Sequence, residues 1–209
     1  MDNKESFATE QENFWSGSFG ADYITRNNSQ QLFASNLSYF VKALDKAEGL
    51  HTIFEVGANV GMNLKALQAL YPTAELSAIE INREACVQLA EVIGKDNVNC
   101  GSILDFQSSQ TFDLVFTKGV LIHLSPDHMA AVYDKLANLA SKYVLIGEYY
   151  NPSPVSIEYR GHTNKLFKRD FCGEFLEAHP EFRLMDYGFA YRKDPHHPQD
   201  DITWFLLEK

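Results

Sequence analysis

The sequence predicts a doubly wound α/β fold, a mostly parallel seven-stranded sheet with helices on both faces. Short apolar runs alternate with stretches that repeat apolar residues at helical spacing, the pattern of βαβ units. A glycine turn, Gly57 to Gly61, joins the first apolar run to the first such helix. The composition is that of a globular chain: 45% of the 209 residues are hydrophobic and 22% charged, enough for one sizeable core and too few residues for two ordinary domains.

Each element can be justified in order. The first 36 or so residues are polar with scattered large aromatics. Trp15, Phe19 and Tyr23 stand four apart, on one face of a helix. A helix over 35–46 follows, with Leu37, Phe40, Val41 and Leu44 inward. We expect residues 1–45 to form an N-terminal lid segment and helix, and residues 46–209 the core of a single domain. HTIFEVG (51–57) is a buried strand, and 62–70 a helix carrying Leu64, Leu67 and Leu70. Strand 76–81, helix 83–93 (Val87, Ala90 and Ile93 inward), strand 98–101 and strand 112–117 come next. Helix 126–141, opened by Pro126, leads into strand 143–148. Residues 151–162 read as a Pro/Ser loop, 166–178 as a helix, and 183–187 and 202–207 as the last strands.

In such a fold ligands bind beyond the carboxyl ends of the strands. The turn there is Glu55-Val56-Gly57-Ala58-Asn59-Val60-Gly61. Asn59 occupies the second glycine place of GxGxxG, which counts against a dinucleotide. No Gly-Lys-Ser/Thr follows, so it is not a P-loop, and no Tyr-x-x-x-Lys pair occurs. The turn resembles motif I of the class I S-adenosylmethionine (SAM) methyltransferases. That resemblance implies a Rossmann-like fold, SAM as cofactor, and Glu55, Gly57, Asn59 and Gly61 at its site. It also calls for an acidic residue ending the next strand. Glu80 stands 23 residues after Gly57, the spacing of a carboxylate that takes the two hydroxyl donors of a ribose. Ser102 and Ile103 are the expected adenine contacts, and Ile81 covers the other face. Thr117 and Lys118 are placed beside the methionine part, and His123 near the methyl group. Arg26 suits the methionine carboxylate or is a surface arginine.

The likeness extends further. FWSGSFGADYITRN (14–27), TKGVLIHLSP, EYYNPSPV, YRGH, LFKRDF and QDDITWFLLEK resemble methyltransferases associated with pseudaminic acid biosynthesis. The resemblance implies a small-molecule acceptor, a nonulosonic sugar acid or its activated precursor. A base is needed if the nucleophile is a hydroxyl or a protonated amine; His123 is the first candidate, with Tyr150 and His162 in reserve. His123 reads equally as a structural histidine capping the following helix. Arg160, Lys165, Lys168 and Arg169 give the acceptor region a local positive balance.

Charge narrows the partners. Lys+Arg is 18 and Asp+Glu is 28, a net −10 that repels a phosphate backbone and speaks against DNA. A tRNA-modifying methyltransferase and a non-catalytic SAM-fold module remain as alternatives. The N-terminus lacks an apolar signal region and no run is long enough to span a bilayer, so a cytoplasmic protein is expected. Three dispersed cysteines form no CxxC pair. His196-His197 between Pro195 and Pro198 reads as a turn, and no metal site is expected.

Overall fold

A computed structural model describes residues 7–17, 19–20 and 29–209. Tyr23 and Arg26, expected on the lid, lie outside the described residues. Seven strands form one sheet in the order β3-β2-β1-β4-β5-β9-β8. They are β1 Thr52–Val56, β2 Glu75–Glu80, β3 Val98–Cys100, β4 Phe112–Lys118, β5 Ala140–Glu148, β8 Arg183–Ala190 and β9 Ile202–Glu208. The first five run parallel, and β9 enters antiparallel between β5 and β8. The strand order reverses between β1 and β4, which opens a crevice at their carboxyl ends. This is the doubly wound, mostly parallel seven-stranded α/β fold that the sequence predicts.

Successive residues of a strand face opposite layers, and the core divides accordingly. Phe54 and Val115 pack on one side with Leu136 of helix α5 (Met129–Leu139) and Phe175 of α6 (Phe171–Ala178). Ile53, Leu114 and Phe116 pack on the other with Phe40 of α2 (Gln30–Ala43), Leu67 of α3 (Met62–Leu70) and Leu89 of α4 (Arg83–Ile93). A short helix α1, Glu10–Ser16, precedes them; Thr9 caps it, accepting from the Glu12 N–H, and the Glu12 carboxylate accepts the Thr9 N–H in return.

Several elements differ from expectation. Ser29 caps α2, so that helix starts and ends earlier than 35–46, and Val41 is exposed. Val87 is also exposed; Ala85, Cys86, Leu89 and Ile93 form the buried stripe of α4. Pro126 opens a single 3-10 turn, after which α5 ends at Leu139 and the chain passes directly into β5. The expected 151–162 loop contains β6 (Val155–Tyr159), which pairs antiparallel with β7 (His162–Lys168). The helix expected from 166 begins at Phe171, because Asp170 caps it by accepting from the Gly173 N–H. The lid aromatics do not share one unbroken helix: α1 stops before Gly17, and Phe14 and Phe19 meet at 4.2 Å between ring centroids. No helix among the described residues is long and apolar enough to cross a membrane.

Candidate functional site

The carboxyl ends of β1, β2 and β4 open into a cavity walled by Gly57, Asn59, Glu80, Ile81, Ser102 and Ile103. A second cavity shares Gly57, Asn59, Gly119, Val120 and His123 with it, and runs on to Lys118, Tyr159 and Arg160. The two cavities adjoin along these shared residues.

The glycine turn shapes the junction. Gly57 sits at φ +74° and Gly61 at φ +82°, the left-handed region that favours glycine. A Cβ on Gly57 would stand 2.6 Å from Val120 Cγ2, and one on Gly61 2.8 Å from Leu89 Cδ1. Gly57 therefore keeps the turn open against the β4 exit, whereas Gly61 lets α3 pack on α4. The residues between them carry Asn59, whose backbone N–H points at the end of β2.

Glu80 receives it. Its Oε2 accepts the Asn59 N–H and its Oε1 the Asn82 N–H, both at 2.7 Å. Each carboxylate oxygen has a second lone pair, so the group still offers acceptors to the cavity that it lines. Burial raises its pKa, and the backbone N–H donors oppose that rise. A carboxylate held on both oxygens with acceptors left over suits a ribose diol.

Trp15, an expected lid aromatic, stands at this cavity, and the sequence reading missed Gln11 and Glu12 beside it. Helix α1 contributes Gln11, Glu12 and Trp15 to the cavity wall. The Glu12 carboxylate is buried and accepts from Ser102 Oγ as well as from Thr9. Asn82 Nδ2 donates to the Trp15 carbonyl at 3.2 Å. The Lys165 ammonium meets the Glu10 carboxylate on the other side of the helix. The capping-box pattern Thr9-x-x-Glu12 was the local signal available for this helix.

His123 stands where the two cavities adjoin. Its ring lies 4.4 Å from the Trp15 ring and 5.1 Å from the Tyr159 ring, centroid to centroid. Nδ1 is 2.7 Å from the Lys165 carbonyl oxygen. A carbonyl only accepts, so Nδ1 carries the proton and Nε2 the lone pair of the neutral ring. Burial pushes the imidazole pKa down to about 4, against the pull of that hydrogen bond. The ring is thus neutral near pH 7.

The other candidate positions divide. Lys118 reaches the second cavity, with its ammonium 5.3 Å from the centre of the Tyr39 ring and 3.5 Å from Asn36 Oδ1. Burial lowers its pKa, while Glu55, Asp200 and Glu148 favour its charge. Glu55 and Thr117 do not line either cavity; both are completely buried beneath it. Glu55 accepts from Asn63 Nδ2 at 2.6 Å, and burial lifts its carboxyl to about 8. Thr117 turns from the cavity because its hydroxyl donates to Glu148. Tyr150 also stands outside: alternation along the chain leaves Tyr149 on the cavity, while Tyr150 is exposed and packs near Phe205. His162, beyond the hairpin turn, packs instead on Phe14, 5.0 Å between centroids. Of the expected positive cluster, Arg160 alone lines the site. Lys165 is paired with Glu10, Arg169 with Glu174, and Lys168 lies over the Tyr149 ring. Among the described residues no group of metal-ligating side chains occurs. The His196 and His197 N–H groups donate to Asp194 in a turn.

Comparison with known proteins adds to this geometry. Residues 54–142, from β1 into β5, match the family model described as a methyltransferase domain. The fold is similar to that of the Burkholderia thailandensis 1,6-didemethyltoxoflavin-N1-methyltransferase, solved with its acceptor and S-adenosylhomocysteine: TM-score 0.74, 14% identity, covering 100% of this chain and 93% of that one. The glycopeptide N-methyltransferase MtfA, solved with SAM, gives a TM-score of 0.61 at 11% identity over 83% of this chain and 92% of that one. Coclaurine N-methyltransferase gives 0.65 at 11% identity over 83% of this chain and 60% of the other. No curated protein sequence matches the chain.

Proposed function

We propose that this SAM-dependent methyltransferase methylates a small anionic acceptor, and more narrowly a nonulosonic sugar acid or its activated precursor. The observation that carries the reading is the pair of cations, Lys118 and Arg160, on the second cavity of a chain whose net charge is −10. A carboxylate answers those cations, and Asp200, on the same wall, accepts from sugar hydroxyls. The structural neighbours, by their names N-methyltransferases of 1,6-didemethyltoxoflavin, of coclaurine and of a glycopeptide, support a small-molecule acceptor in general. So do the strings YRGH and EYYNPSPV, which border the second cavity.

SAM fits the first cavity by the chemistry of its walls: a carboxylate with spare acceptors at Glu80, apolar Ile81 and Ile103 for a flat base, and a backbone turn kept free of Cβ atoms at Gly57. SAM supplies a methyl group already activated by the sulfonium charge. The chain's residues then have to align the acceptor, exclude water and take a proton. Trp15 and the Glu12–Ser102 contact close the adenosine end to solvent. An acceptor held by Lys118 and Arg160 would approach that methyl group from the second cavity, with His123 at the junction. Where the acceptor is a hydroxyl, its proton passes to His123 Nε2.

Replacing Glu80 by Ala should weaken SAM binding by about 1.5–3 kcal/mol, the range for hydrogen bonds to a charged group. Calorimetry checks this; unchanged affinity would remove Glu80 from the cofactor's site. The acceptor is tested by incubating the protein with methyl-labelled SAM and a panel of nonulosonic acids, their CMP-activated forms and tRNA. Label should enter a sugar acid. Label in tRNA would overturn the acceptor reading, and label in none of them would favour a non-catalytic module.

A further inference from the structure

Glu148 ends β5 and is almost wholly buried, yet it touches neither cavity. Its carboxylate gathers donors from a segment 26 to 31 residues earlier in the chain. Oε1 accepts the N–H groups of Val120 and Leu121, both at 3.0 Å, and the Thr117 hydroxyl at 3.1 Å; Oε2 takes the Ile122 N–H at 3.4 Å. These are successive amides of the turn that leads from β4 to His123.

That turn forms the floor shared by both cavities. Gly119, at φ +69°, reverses the chain as it leaves β4, and its N–H donates to the Gly147 carbonyl. Val120 then presses on Gly57, and a 3-10 turn over Leu121–His123 delivers the imidazole. The three amides between have no helix long enough to supply backbone acceptors. Left without a carboxylate they would be buried and unpaired, and the turn would have to open to find water.

We propose that Glu148 is a positioning residue for methyl transfer: its carboxylate holds the Val120–Ile122 amides and so fixes His123 and the cavity floor against the reacting atoms. Only a carboxylate serves all four donors. A glutamine at this position keeps one oxygen but turns an NH₂ toward either the Ile122 amide or the other three donors. The role rests on the methyltransferase reading, and it deepens that reading with a residue that never meets substrate.

The test pairs Glu148→Gln with the unaltered protein, using labelled SAM and the acceptor that takes label. The variant is expected to keep S-adenosylhomocysteine affinity within about threefold, because Glu80 and Ser102 are untouched. Its kcat should fall about 10- to 100-fold, with the acceptor KM little changed. Amide hydrogen exchange at Ile122 should accelerate at least tenfold. Wild-type kcat with unaltered exchange would overturn the proposal, and so would equal losses in affinity and kcat, which mark general loosening. If the variant fails to fold, exchange in the unaltered protein decides: protection at all three of residues 120–122 supports the carboxylate clamp, and solvent-rate exchange overturns it. Exchange needs no acceptor, so a failed labelling panel would count against the acceptor reading and leave this measurement standing.

Discussion

A Gly57→Val protein should bind no measurable SAM while still folding. Two independent penalties fall on that position. The backbone is held at φ +74°, where a β-branched residue is a steric outlier costing about 1–2 kcal/mol. The new Cβ would also meet Val120 Cγ2 at 2.6 Å and Cγ1 at 2.9 Å. Overpacking of that kind costs about 1–3 kcal/mol and is relieved only by moving one wall. The wall that yields is the β1 turn or the β4 exit, and both line the two cavities. The melting temperature should drop by roughly 5–15 °C for a chain of this size, whereas calorimetry should register no heat with SAM. Gly94→Ala is the matched control. It shares a positive φ, +84°, but lines neither cavity, and its Cβ would meet only Asn97 Nδ2 at 3.8 Å. The control should lose some stability and keep most of its affinity. Equal binding by Gly57→Val and the unaltered protein would remove the turn from the cofactor's site.

The central strands β1, β2, β4 and β5 were legible because they are largely buried on both faces and read as apolar runs, as FEV, AIE and VLIGE do. The glycine turn was legible because the backbone at Gly57 and Gly61 has positive φ, which favours glycine. The β6–β7 hairpin was not, and its residues show why. Its first strand is exposed at Val155 to Glu158, so no apolar face alternates along it. Its signal lay in the turn instead. Arg160 and Gly161 both have positive φ, the two-residue reversal that x-Gly between extended segments favours. The helix start at Phe171 was written in Asp170, an N-cap masked by the apolar pair Leu166-Phe167 before it. Glu148 had no local signal at all, since the four groups it serves come from another strand's exit. Tyr150 and Tyr149 were adjacent aromatic candidates, and only the alternation of a real backbone decides which one faces the cavity.

His123→Ala should separate chemistry from cofactor binding. The ring lies at the junction of the two cavities, away from Glu80, so SAM affinity should change little. With a hydroxyl acceptor, loss of a positioned base should lower turnover by about 10²–10⁴-fold. The lower end is expected, because an imidazole held at about 4 is a weak acceptor of protons. The sign of the pH dependence follows from the same burial. The neutral ring is the active form, so wild-type activity should rise as pH climbs through about 4 and be flat across neutral pH. An ascending limb at the ordinary histidine value near 6.5 would contradict the buried, Lys165-bound ring. Folding carries the same signature. The depressed pKa adds stability that is fully present above about 6.5 and is lost as pH falls toward about 4, so the unaltered protein should weaken over that window and the alanine variant less so. Rates and melting curves across pH 3.5–8 would check both. A variant that binds SAM and turns over at the wild-type rate would leave His123 a packing partner of Trp15 and Tyr159. A variant with normal binding, slow turnover and no limb at low pH would make the neutral imidazole, aimed by the Lys165 carbonyl, the proton acceptor.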